Sequence, residues 1–124
     1  MSFADEILNG NAAAIDDYIN EGGDLDDIDE YGFTALIQTA ISNQLDLAKT
    51  LVERGVDVNK ADLVGRTALH WAIDNANVEF SRFLLEQGAD ANHFTTAGQS
   101  ALVYPILRQQ KAFKQLLLLY GASI

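Results

Sequence analysis

The chain has 124 residues, 48 % of them hydrophobic and 21 % charged, with one proline and no cysteine. That is the size and balance of one globular domain able to bury a core of its own, and the missing cysteines exclude disulfides, thiolate metal sites and cysteine nucleophiles together. Eighteen acids against eight Lys and Arg leave a formal charge of −10, so nucleic acid and membrane are not expected partners, both being held through cationic patches.

No apolar run is long enough to span a bilayer. The start, Met-Ser-Phe-Ala-Asp-Glu, carries acids where a secretory signal needs positive charge, so a cytoplasmic or otherwise intracellular protein is expected.

Taken in chain order, the sequence repeats itself every 33 residues. Residues 1–28 form a degenerate first unit, recognised by Tyr18-Ile19 and Gly22. Residues 29–61 and 62–94 are regular units, and residues 95–124 are a last, incomplete one. The columns Gly32/Gly65/Gly98, Thr34/Thr67/Ser100, Ala35/Ala68/Ala101 and Leu36/Leu69/Leu102 open the three full units. Leu51-Val52/Leu84-Leu85/Leu117-Leu118 and Gly55/Gly88/Gly121 close them.

Each unit reads as two short helices and an extended link. Thr34, Thr67 and Ser100 stand where a hydroxyl caps a first helix, after a glycine that makes a tight turn. Leu47, Leu51 and Val52, and again Phe80, Leu84 and Leu85, give the second helix one apolar face. Gly55, Gly88 and Gly121 fall where a helix ends in a left-handed residue.

Asp62-Leu-Val-Gly-Arg-Thr-Ala-Leu-His-Trp-Ala72, with Leu84-Leu-Glu-Gln-Gly-Ala-Asp-Ala-Asn92, resembles the ankyrin repeat, and residues 29–59 carry the same pattern. The resemblance covers essentially the whole chain. It implies an all-α solenoid of stacked helix–turn–helix units with short turn or hairpin tips, binding a partner protein through its concave face without chemistry or cofactor. Three departures stand out. Alanine replaces the family's proline at positions 35, 68 and 101; Pro105 lies inside the first helix of the last unit; and Thr95 and Val103 replace the usual Asp and His. The proline is expected to kink or shorten that helix.

Carried over column by column, the family's variable positions imply partner-binding residues Tyr31, Phe33, Leu63, Val64, Arg66, Trp71, Phe94 and Tyr104. Aromatic residues and arginine are what interface centres favour. Trp71, Tyr31 and Phe33 are the expected anchors and Arg66 a charge-assisted donor. Leu116, Leu119 and Tyr120 fall in columns that earlier units keep mostly polar, so the C-terminal end is a possible second interface. With the last unit three residues short, the natural chain is expected to continue past Ile124 or to pack there on another subunit or domain.

Residues 1–30 hold ten acids and no base, whereas residues 91–124 hold three bases and no acid. This gradient fits a solubilising N-terminal cap, or the steering of a basic partner. Catalysis and metal binding find no pattern. Aligned on Gly32, the acidic run Asp24–Gly32 fails a calcium loop at Tyr31 and Gln38 and reads as a solvated link. His70 matches the family's turn-bonding histidine, and His93 has no acid–base partner at a useful spacing. No enzyme is expected. Two rival functions remain: a targeting or regulatory arm of a larger enzyme or bacterial effector, docked through its apolar C-terminal end, and an acidic mimic that blocks a basic surface.

Overall fold

The computed structural model describes residues 13–100 and 110–121. Among them are six helices and no strand: α1 (Ala13–Asn20), α2 (Ala35–Ser42), α3 (Leu45–Glu53), α4 (Ala68–Asp74), α5 (Val78–Glu86) and α6 (Lys111–Leu119). The expected Pro105 kink, Val103 and Tyr104 lie outside the described residues.

α2 and α4 start where the periodic threonines stand. Thr34 is extended and its Oγ1 accepts the Ile37 N–H at 3.1 Å, which satisfies a donor that the first helical turn leaves unpaired. Thr67 is likewise extended, but here the side chain three residues on takes part. His70 Nδ1 accepts the Thr67 N–H at 3.1 Å and lies 2.9 Å from its hydroxyl. α3, α5 and α6 run into glycines at positive φ, with Gly55 at +94° closing the turn that only glycine adopts without strain.

α2 packs against both α3 and α4, and α4 against α5. With neighbours on several sides, α2 and α4 are buried almost all round: Ala35, Leu36, Ile37 and Ala40 in one, Ala68, Leu69, Ala72 and Ile73 in the other. The alanines let adjacent helices approach closely. The outer helices bury one stripe each, Leu47, Ala48 and Leu51 in α3, Phe80, Leu84 and Leu85 in α5, and Phe113, Leu116 and Leu117 in α6. α1 contributes Ala14 and Ile15.

A polar ladder also ties each unit to the next. The Asp90 N–H donates to Asn59 Oδ1 at 2.7 Å, and Asn59 Nδ2 donates to the Gly88 carbonyl at 3.2 Å. Asn92 Nδ2 repeats the second bond, to the Gly121 carbonyl at 2.9 Å. Asp26 accepts the Asp57 N–H at 2.9 Å but, being a carboxylate, has no proton with which to make the return bond. On the surface, Arg54 compensates with a two-pronged bond to Asp16, Nε–Oδ1 at 3.0 Å and Nη2–Oδ2 at 3.2 Å.

Candidate protein-interaction face

Three turns built alike form the tips. In each, a residue four positions ahead returns its carbonyl to the first: Asp29 N to Phe33 O, Asp62 N to Arg66 O and Thr95 N to Gln99 O, all at 2.9 Å. Gly32, Gly65 and Gly98 close an inner turn by donating to the carbonyls of Asp29, Asp62 and Thr95. The first-position side chain then holds the turn from inside. Asp29 Oδ1 accepts the N–H groups of Tyr31 and Phe33, and Asp62 Oδ1 those of Val64 and Arg66. Thr95, with one hydroxyl, accepts only from Gln99.

The remaining carboxylate oxygens reach down to the inner helices. Asp29 Oδ2 takes Gln38 Nε2 at 2.8 Å and Asp62 Oδ2 takes Trp71 Nε1 at 3.2 Å. Asp29 is therefore buried and not part of a solvated link. The tips also touch one another. Leu63 sits over Gly32, where an added Cβ would lie 2.4 Å from its Cγ, and the backbone of Thr95 and Thr96 sits as closely as 3.0 Å from the same position on Gly65. The Thr96 N–H donates to the Val64 carbonyl at 2.9 Å.

On this frame the structure brings four of the expected site residues together. The Tyr31 and Phe33 rings are 6.4 Å apart, and Phe33 meets Trp71 edge-on at 5.6 Å. Arg66 stacks its guanidinium 3.9 Å above the Trp71 ring and approaches Asp74 at 3.7 Å. Tyr31, Leu63, Val64 and Phe94 are 65, 71, 52 and 63 % exposed, whereas Phe33, Arg66 and Trp71 are half-buried. Tyr104 lies outside the described residues. At the C-terminal end Leu119 is 79 % exposed and Tyr120 also reaches solvent. Leu116 does not: it borders Phe113 and Leu117 on the buried stripe of α6, so only the other two members of that expected patch are available.

Beneath the tips, His70 is fully buried, with the His93 ring edge-on at 5.9 Å. Because Nδ1 accepts from Thr67, the neutral ring carries its proton on Nε2. Burial first, and the neighbouring His93 second, lower its pKa to about 4. No group of three or more His, Asp or Glu side chains suited to a metal occurs among the described residues.

The residue columns missed by reading the sequence are the linking ones, Asp26, Asn59 and Asn92. Their own 33-residue spacing was the available signal.

A family model described as ankyrin repeats (many copies) matches residues 36–85. Among solved structures, the Legionella effector AnkH superposes with a TM-score of 0.93 at 49 % identity. The chain carries ankyrin repeats. The alignment covers 99 % of this chain and 27 % of the AnkH chain, so this chain spans about a quarter of that protein's length. No curated protein sequence matches significantly. The helices and tips described above are thus those of an ankyrin-repeat fold, a scaffold whose repeats serve as protein-interaction modules, and no described helix is long and apolar enough to cross a membrane.

Proposed function

We propose that this ankyrin array is a protein-binding module that recognises its partner through the face formed by the tips and inner helices, without chemistry of its own. The observation that carries the reading is the exposure of Tyr31, Leu63, Val64 and Phe94 on turns whose backbone is already fixed by hydrogen bonds. Large apolar groups held rigidly in water cost little entropy to bind, and their burial supplies the favourable term. Phe33, Trp71 and the stacked Arg66 form a half-buried cluster next to Tyr31. Similarity to an effector supports a site of action inside a host cell.

The test is capture from host-cell lysate with folded baits: wild type, a Tyr31→Ala/Leu63→Ser/Phe94→Ser variant, and an outer-helix control, Glu53→Ser/Glu86→Ser. Loss of one specific partner from the tip variant alone supports the reading. Equal capture by tip variant and wild type contradicts it.

A second reading rests on Leu119 and Tyr120 and on the share of AnkH that the chain spans. In it the array is the targeting arm of a larger protein, packed against the remainder through its C-terminal end. Retention of partner by a Leu119→Ser/Tyr120→Ser variant, together with its loss from the tip variant, separates the two surfaces.

A further inference from the structure

We propose that the segment docking on the tip face is basic and apolar, with its cation at the first tip and its apolar side chains over the second and third; this rests on the tip face being the interface. The charge distribution supplies the first reason. Residues 1–48 contain no Lys or Arg and eleven acids, and at the first tip exposed Glu30 is followed directly by exposed Tyr31. A carboxylate beside an accessible ring is what a lysine or arginine side chain prefers, by charge and by attraction to the ring face.

The unit of residues 62–94 shows the same chemistry satisfied from within. There Arg66 lies over the Trp71 ring and approaches Asp74. One period earlier the matching positions are Phe33, Gln38 and Ile41, so the first tip offers acid and ring with no cation at the position that Arg66 fills in the next unit. At the tips and inner helices Glu30, Asp62 and Asp74 stand against Arg66, while Asp29 is buried and already hydrogen-bonded. An acidic segment approaching it would meet like charge, whereas a basic one is steered in.

The apolar half of the recognition follows from the next tips. Leu63 and Val64 stand where the first tip has Glu30 and Tyr31, and like Phe94 they are exposed and uncharged. Recognition is therefore graded along the stack, from charge to hydrophobic contact.

The experiment uses three labelled peptides, alternating Lys with Leu, Glu with Leu, and Lys with Ser, titrated by fluorescence anisotropy against the full chain. The Lys/Leu peptide is expected to bind tightest and to weaken as salt rises. Glu30→Lys and Tyr31→Ala should each weaken it by about five- to tenfold, the first also flattening the salt dependence. Leu63→Ser/Phe94→Ser should weaken it at every salt concentration. Circular dichroism confirms that each variant is folded.

Equal or tighter binding of the Glu/Leu peptide, lost on Tyr31→Ala, would overturn the basic partner while leaving the tip face as the interface. Binding of the Lys/Leu peptide that no tip variant alters would overturn both. Failure of that peptide to bind would overturn this inference alone, since the lysate comparison has its own readout.

Discussion

His70 joins the sequence motif to a measurable property. Its ring stays neutral because burial penalises the charge, and its Nδ1 accepts from the Thr67 backbone only in that state. The folded pKa of about 4 lies below the ordinary 6.5, so as pH falls between those values the unfolded chain takes up a proton that the folded one refuses. Stability is therefore complete above about pH 6.5 and declines towards pH 4, by up to about 3 kcal/mol from this group. Urea melts across that window should show the decline, and His70→Asn should flatten it. At Ala76 the opposite opportunity exists, because a φ of +56° is strained for alanine. Asn43 occupies the same column of the preceding unit and tolerates its φ of +55° better. Ala76→Gly should stabilise the fold by about 1 kcal/mol, read as a higher urea midpoint with unchanged slope.

The tips show how much of an element is set locally and how much by its neighbour. Gly65 and Gly98 both hold positive φ, at +81° and +77°, yet an added Cβ meets backbone of the next tip at 3.0 Å in the first case and open space in the second. Gly98→Ala should cost about 1–2 kcal/mol, the conformational penalty alone. Gly65→Ala should cost clearly more, because the Thr95–Thr96 backbone has to move; equal losses in chemical denaturation would contradict the packing described.

The same division explains what could be read in advance. Threonine caps, turn glycines and the apolar spacing of α3 and α5 are local and periodic, and so were legible. Three features depend on contacts between units or on position within a face. Asp29 looked like one acid of a solvated run but is buried under three hydrogen bonds. Leu116 looked like surplus grease but lies within the α6 stripe. Arg66 was expected as a donor to a partner, and its stacking on Trp71 joins residues whose spacing follows no pattern of a single helix or turn.

Over the whole molecule, stability should vary along the stack, since each unit draws support only from its neighbours. α2 and α4, packed on helices of their own and the adjoining unit, should carry the slowest-exchanging amides, with α1 and α6 opening at lower cost. Hydrogen exchange checks this ordering directly. A stiff centre also serves recognition, because the exposed side chains of the first and second tips are then presented at fixed spacing. Charge is also graded along the sequence, with ten acids and no base in residues 1–30 and three bases and no acid in residues 91–124. Association with a basic partner should accordingly slow as salt rises, while dissociation, governed by the apolar contacts, changes less.

On the proposed function the tips, and not the outer helices, contact the partner. A photo-crosslinking residue placed singly at positions 31, 63 and 94, and as controls at the exposed outer positions Glu53 and Glu86, reads this out directly. Crosslinks to one partner from the three tip positions, with none from the controls, are the predicted result. Crosslinks from positions 53 or 86 with none from the tips would contradict the account and move the interface to the outer helices.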